Sequence, residues 1–405
     1  MIDPKVRFEY DEGSFRGDPE DPKTTVHSKI WDWDQLRSIK ITGTAKIFPW
    51  VSNEELEFLG HFMDFLSPEV RSVSVDDDRL ITELTTDPKE DGSLVTPYPR
   101  LSTVETLAGC HTIQFSKLEE VDRLGKGVDL SSYVDESGAR QLVAFKFAPF
   151  AEAVRIEGAW CEMSLLRQIP PHENLVAFDR VVIEDKESRV IGFTTKYLTG
   201  GNFVNPDRPF RFEWLQQLTE VVDFLNLELG IMHQDIAPRN LIVDPDTHKL
   251  VLFDFNTAAC GEKNLKGSLI DVSGVALTLY GLITNDIHFT NLSYWDRDME
   301  MIESISEWPR VRELDAEVSK FRTFLDDWIV TRKRGSPMER YLKAPNPLTW
   351  FDVPEEYQLA WDLEESPPFM KSRRYVRTAK AAGEYVFCWE RPPQIRLLKK
   401  AEDGK

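Results

Sequence analysis

The side chains best placed to do chemistry lie between residues 233 and 256. His233-Gln234-Asp235-Ile236-Ala237-Pro238-Arg239-Asn240 runs into Leu241-Ile242-Val243, and Leu250-Val251-Leu252-Phe253 runs into Asp254-Phe255-Asn256. Two short apolar strands joined by the turn Asp244 to Lys249 would bring Asp235, Asn240 and Asp254 to neighbouring ends of one hairpin. Phosphoryl transfer needs such a set: a carboxylate to orient the attacking hydroxyl, and oxygen ligands to hold Mg²⁺ on the phosphates. Other chemistries lack their residues. The seven histidines include no HxxxH or HExxH pair, and no GxSxG occurs.

The elements that must position these groups follow from periodicity. Residues 111–124 and 140–148 alternate and are rich in β formers, as strands should be. The stretch 151–169 carries Ile156, Trp160, Met163 and Leu166 on one helical face, and Pro170-Pro171 stop it. Residues 174–185 and 188–198 read as two more strands around the turn Asp185 to Ser188. Past Gly200-Gly201 the pattern is helical, with stripes Trp214, Leu215, Leu218, Val221, Val222, Leu225 and Val318, Phe321, Leu325, Trp328. Strands with one helix, then mostly helices, predict an α+β chain in two lobes. Residues 1–111 hold 22 acidic and 12 basic side chains, which reads first as a solvated surface. The first 25 or so residues are poor in apolar groups, so 1–30 is expected to be a disordered tail. The extension 31–111 should be partly folded, with a Ser52/Glu55 capping box ahead of Leu56, Leu59, Phe62, Met63 and Leu66, and a turn or linker over 76–93.

The 233–256 stretch resembles the HRDxxxxN catalytic loop and the DFG of the protein-kinase superfamily, with 14 positions from Asn240 to Asp254. Further parts resemble that family in order. Val143-Ala144-Phe145-Lys146 is similar to the third-strand VAIK, and Glu162, 16 residues on, to the helix glutamate that pairs with the lysine; Glu157 is the rival for that role. Thr194 to Leu198 before Gly200-Gly201 resembles the hinge, with Thr195 as gatekeeper and backbone groups of about Lys196 to Leu198 bonding adenine. Gly125 and Gly127 keep two glycines of a GxGxxG loop, with Leu130 at the third place; an ordinary turn explains a lone GxG as well. Other departures are Gln234 for the HRD arginine, Ala237 for the lysine of serine/threonine kinases, and Asn256 for the DFG glycine. Asn tolerates φ > 0, so the turn could survive there. Arg239 matches the AxRN of tyrosine kinases. Asp271-Val272-Ser273-Gly274-Val275 looks like the buried αF helix, yet only 17 positions follow Asp254 and no APE lies between. A normal activation segment does not fit that span. The combination looks most like kinase-domain proteins from filamentous fungi, and the resemblance covers about residues 112–335.

The resemblance implies a bilobal protein-kinase-like α+β fold with a shortened activation segment: N-lobe 112–199, C-lobe 200–345, and a C-terminal extension 346–405. It implies an ATP- and Mg²⁺-dependent phosphotransferase. Lys146 would hold the α- and β-phosphates and pair with Glu162, Asn240 and Asp254 would hold Mg²⁺, and Asp235 would act on a hydroxyl with Arg239 beside it. The acceptor, protein or small molecule, stays open. The altered positions equally suit a pseudokinase that binds nucleotide without turnover. A net charge of −20 argues against a nucleic-acid partner. No apolar run is long enough to span a bilayer, and four scattered cysteines without ligand spacing fit a reducing compartment, hence a cytoplasmic or nuclear protein. In the C-terminal extension, the basic run 371–377 reads as a solvated helix face, and Trp389 as an aromatic packed back on the larger lobe.

Overall fold

The computed structural model describes residues 2–3, 5–11, 21–49, 52–150, 152–293, 296–354 and 374–391. The chain forms two compact units: Met1–Ala153 with Val181–Gly192 and Pro354–Lys405, and Val154–Arg180 with Phe193–Val353. The first is rich in strands and the second mainly helical, the α+β class that the order of elements predicts.

The β-rich unit begins with a five-stranded sheet in order β1-β2-β3-β4-β5. Its strands are β1 Phe8–Tyr10, β2 Thr25–Asp32, β3 Arg37–Thr44, β4 Ser72–Val75 and β5 Ile81–Thr85, with helix α1 Glu54–Phe62 between β3 and β4. Val26, Ile30, Ile39, Ile41 and Val73 point to one face and pack with Phe58, Leu59 and Met63 into a core of their own. This corrects the expected disordered tail: β1 and most of β2 fall within 1–30, because the alternation of Val26 and Ile30 buries one face of β2 even among charged neighbours. Residues 12–20 of that tail lie outside the described residues. The supposed linker 76–93 is corrected too. It contains β5, an edge strand antiparallel to β4, whose polar composition and exposed Leu84 hide the strand pattern. Nor does the capping box form. Asn53 is the N-cap without a side-chain bond, and Ser52 Oγ donates to Pro49 O at 3.0 Å. Glu55 is fully buried and accepts from Tyr10 Oη at 2.7 Å and Ser28 Oγ at 2.8 Å. Tertiary partners there outcompete the local one.

A six-stranded sheet follows in order β6-β10-β11-β9-β8-β7. Its strands are β6 Thr112–Gln114, β7 Glu119–Gly125, β8 Val128–Val134, β9 Arg140–Phe147, β10 Phe178–Ile183 and β11 Val190–Lys196; the last two continue into the helical unit. Helix α9, Val376–Ala381, and the segment up to Arg391 also belong to the β-rich unit. Trp389 stacks on Phe147 of β9 at 4.5 Å and 15°, and its indole N–H donates to Tyr98 Oη at 2.6 Å. The expected packing of Trp389 on the larger lobe is thereby corrected: its partners are Phe145 and Phe147 of β9 together with Tyr98, Phe115 and Phe387, all in the β-rich unit. Arg391 pairs with buried Asp129 of β8, whose carboxyl burial still pushes up to about 6. Of the basic run, Arg374 pairs with Glu384 and Arg377 donates to Lys89 O at 2.6 Å and Asp91 O at 2.7 Å; Lys371 to Arg373 lie outside the described residues.

The helical unit contains α2 Ala153–Gln168, α3 Phe212–Asp223, α4 Ile270–Thr284, α5 His288–Asn291, α6 Glu300–Glu303, α7 Val318–Lys333 and α8 Pro337–Leu342. Short strands β12 Ile231–Met232, β13 Leu241–Val243, β14 Leu250–Leu252 and β15 Ala259–Cys260 lie between α3 and α4. Every residue of α4 from Asp271 to Thr284 is buried, the signature of a helix surrounded by protein. The stripes behave as predicted: Ile156, Trp160, Met163 and Leu166 of α2 and Phe321, Leu325 and Trp328 of α7 are buried. Helix α2 clusters in this unit and not with the strands that precede it. The reason is local. Cys161 Sγ donates to Ala258 O, and Trp160 Nε1 donates to Asp352 O at 3.1 Å.

Candidate active site

Strands β13 and β14 pair antiparallel, Leu241 opposite Leu252 and Val243 opposite Leu250. The ladder ends with Phe253 N–H donating to Asn240 O at 3.1 Å, so Asn240 and Asp254 leave the same end of the hairpin. Ahead of it, Pro238–Asn240 form a 3₁₀ turn that folds Asn240 back on Asp235. Asn240 Nδ2 donates to Asp235 Oδ2 at 2.9 Å and to Asp235 O at 2.8 Å. The other oxygen, Oδ1, accepts from Arg239 Nη2 at 2.5 Å and from Arg297 Nη1 at 2.9 Å. The carboxylate is thus oriented from three sides with its side chain only 15 % exposed. Arg297 is a site residue that the sequence does not announce: it arrives from 62 residues downstream in a segment without periodicity or motif.

The turn carrying Asp235 is braced from below. The Asp271 carboxylate, 1 % exposed, accepts from His233 N at 2.8 Å, Gln234 N at 2.7 Å and Asn226 Nδ2 at 2.8 Å. Those bonds hold Gln234 at φ +65°, a conformation that a non-glycine residue adopts at some cost. A second positive φ, +72°, falls on Asp254. Asn256 is not among the left-handed residues, which corrects the expected role for its tolerance of φ > 0. Its backbone instead passes close to α2, where a Cβ on Gly158 would stand 3.3 Å from Asn256 O. Glu162 of α2 is buried and accepts from Phe255 N at 3.1 Å, whereas Glu157 is exposed. Of the two candidates, Glu162 is the one turned toward the Asp254 segment.

Gln234 does something that its arginine counterpart could not. Its amide donates to Thr257 O at 2.8 Å and Asn264 O at 2.9 Å and accepts from Lys266 N at 2.8 Å. With β15 paired to β12, the short segment after Asp254 is held by backbone and side-chain hydrogen bonds, with Phe255 N–H on the Glu162 carboxylate and Lys263 paired with Asp352 at 3.6 Å. A phosphate has no arginine to meet at position 234. Phosphatase-treated protein, verified by mass spectrometry, should therefore keep its melting temperature and any turnover within about twofold. A loss of either, traced to Thr257 or Ser268, would count against this.

The remaining candidates divide between the units. Lys146 sits half-buried on β9, opposite Val128 of β8, on the face away from buried Phe145 and Phe147. Gly125 ends β7, and Lys126-Gly127 form a two-residue turn into β8. Gly127 needs its lack of a Cβ twice over: φ is +68°, and a Cβ would come 2.4 Å from Phe147 O. In the helical unit Thr195 and Leu198 are buried, and Lys196 Nζ pairs with Asp244 at 3.2 Å. Lys196 N–H is spent on Ala177 O at 3.0 Å. Asp235, Arg239, Asn240, Glu162 and Asp254 belong to the helical unit, and Gly125, Gly127 and Lys146 to the β-rich one.

No protein-family model matches the chain. Among curated proteins, it is similar to casein kinase II subunit alpha' of Saccharomyces cerevisiae, 26% identical over 157 residues, which cover 36% of this chain and 43% of that protein. It is also similar to the serine/threonine-protein kinase RIM11/MSD1 of Saccharomyces cerevisiae, 32% identical over 100 residues, 24% of this chain and 26% of that protein. The chain thus spans less than half the length of these relatives. The similarities support a relationship to the protein-kinase superfamily, and the α+β architecture is consistent with a kinase-like fold.

Proposed function

We propose that the chain is an ATP- and Mg²⁺-dependent phosphotransferase that moves the γ-phosphate to a hydroxyl, on a protein side chain or a small molecule. The carrying observation is the Asp235 carboxylate, fixed by Asn240, Arg239 and Arg297 at the mouth of a hairpin that also ends in Asp254. The donor set suits Mg²⁺, a hard cation that favours oxygen. Asn240 spends its Nδ2 on Asp235, which leaves Oδ1 as its metal-binding atom, and Asp254 would supply a carboxylate. Among the described residues no group of three or more His, Cys, Asp or Glu side chains is placed to hold a metal by itself, so phosphate oxygens would have to complete the shell. Bound Mg-ATP would supply the transferable phosphoryl group with its charge neutralised. Lys146 would grip the α- and β-phosphates and pair with Glu162. Asp235 would align the acceptor hydroxyl and take its proton, while Arg239 and Arg297 keep the carboxylate in place. We place the protein inside the cell, in line with its four cysteines without ligand spacing, and the resemblance to filamentous-fungal kinase-domain proteins belongs to the same reading.

A second reading, a nucleotide-binding pseudokinase, is favoured by the same carboxylate: two guanidiniums occupy Oδ1 and an amide occupies Oδ2. Both readings expect nucleotide binding. Millimolar ATP with Mg²⁺ should raise the melting temperature of the wild type, because a ligand of the folded state stabilises by RT ln(1 + [L]/Kd), and Lys146→Met should lose most of the shift. Equal shifts in both proteins, or none in the wild type, would remove the nucleotide site. Transfer of labelled phosphate then decides between enzyme and pseudokinase.

A further inference from the structure

Within the helical unit, residues 200–211 run beside the catalytic loop. Phe203 N–H donates to Pro238 O at 3.1 Å, and Asn202 bridges to Ile242. This segment borders an open cavity of about 720 Å³. Gly200, Gly201, Asn205, Arg208, Arg211 and Trp214 line it, and no carboxylate does. Arg208 donates to the carbonyls of Gly200 and Gly201. Arg211 lies over the Trp214 ring at 5.4 Å. Behind them Arg312, 3 % exposed, donates to Leu282 O at 2.8 Å, Asn205 O at 2.9 Å, Phe203 O at 3.1 Å and Arg208 O. Among the described residues none of the three guanidiniums forms an ion pair.

That arrangement is unusual in a chain with 69 acidic and 49 basic side chains. Asp207 adjoins Arg208 in the chain but forms no ion pair with any of the three among the described residues, while Asp244 pairs with Lys196 at 3.2 Å and Glu213 turns to Gln217 Nε2 at 2.8 Å and Lys249 at 3.9 Å. Burial lowers the pKa of Arg208 and of Arg312, and Arg208 lowers that of Arg312 further, with Asp207 opposing in part. A cation held against carbonyls without a counter-charge retains an unmet attraction for an anion.

We propose that this groove binds an acidic peptide segment of a partner protein, with its carboxylates on Arg208 and Arg211. An open trough suits an extended chain better than a small molecule, whose sites enclose most of the ligand surface. The Asn202 and Asn205 side chains, whose oxygens accept from Val204 N and Asp207 N, present amide N–H groups that match peptide carbonyls, and the charge complementarity is local. The chain's net −20 does not forbid it, since charges beyond roughly 8 Å are screened at physiological ionic strength. The inference holds whether or not the protein transfers phosphate.

The test is fluorescence anisotropy on the full chain with labelled alternating Glu-Gly, Gln-Gly and Lys-Gly peptides at low and high salt. The Glu-Gly peptide should bind, weakening as salt rises, and the other two should not. Arg211→Glu should weaken binding at least about tenfold and Arg211→Lys no more than about threefold. Both should leave the melting temperature unchanged, because the exposed Arg211 side chain lies over the Trp214 ring and forms no ion pair among the described residues. No binding of Glu-Gly, equal binding of Gln-Gly, or unchanged affinity in Arg211→Glu would overturn the proposal. Full displacement by millimolar phosphate or citrate would make this a small-anion site and overturn the peptide.

Discussion

Asp235→Asn is expected to leave Mg-ATP affinity within a few-fold while phosphate transfer falls by at least about 10²-fold, a usual size for removing a positioned acid or base. The two numbers separate because the proposed work of Asp235 is done only while a hydroxyl attacks, so its contribution belongs to the transition state and not to ground-state binding. Asparagine keeps the shape of the side chain, and the backbone bond from Asn240 Nδ2 to Asp235 O survives. Asp254→Asn should behave differently and weaken both affinity and transfer, since its carboxylate would hold the ion that bridges the phosphates. Arg239→Ala should lower turnover more than affinity, as it removes one of two guanidiniums from Oδ1 and leaves Arg297 in place. Isothermal titration and a labelled-phosphate assay on the same preparations give both quantities. If wild type and Asp235→Asn bind ATP and transfer phosphate equally slowly, the chain is a binding module. If both aspartate variants merely melt earlier with no selective effect, these carboxylates are structural ties.

Much of this was legible in the sequence because the information is local. The hairpin that carries Asn240 and Asp254 is two apolar triplets around a Pro-Asp turn, and α2 is a regular apolar stripe stopped by two prolines. What stayed hidden depends on distant partners. Glu55 looks like a cap until Ser28 and Tyr10 draw it inward. The early strands β1 and β2 sit in a charged, glycine- and proline-containing stretch, and only their pairing with each other and with β3 makes them worth ordering. Arg297 reaches Asp235 from a segment whose own residues signal nothing. Asn256 was assigned a backbone conformation that falls two residues earlier, on Asp254, because the motif identifies the turn and not which residue bears its strain. Trp389 shows the same limit: its sequence marks an anchor but not the surface, the aromatic face of β9, that receives it.

Asp271→Ala should cost about 3–5 kcal/mol of stability, the largest effect expected outside the chemistry itself. Three donors converge on that carboxylate, two of them the backbone amides of His233 and Gln234. Bonds to a charged acceptor are worth about 1.5–3 kcal/mol each, and their loss leaves buried N–H groups without a partner. The sum is below three full bonds because water can enter part of the space and because Asn226 keeps its contacts to Ile231 O at 2.8 Å and Arg332 at 2.7 Å. Asp271→Asn should fall between, since one oxygen remains to accept and an amide now faces donors. The loss should also reach the site. Gln234 holds φ +65° against its own preference, and without Asp271 the turn can relax and carry Asp235 away from Asn240. Urea unfolding should show a lower midpoint with an unchanged slope, and native-state hydrogen exchange should show the His233 and Gln234 amides losing protection first. A loss below about 1 kcal/mol would mean that the cost of burying the charge cancels its three bonds, in which case the Asp271 carboxylate serves position and not stability.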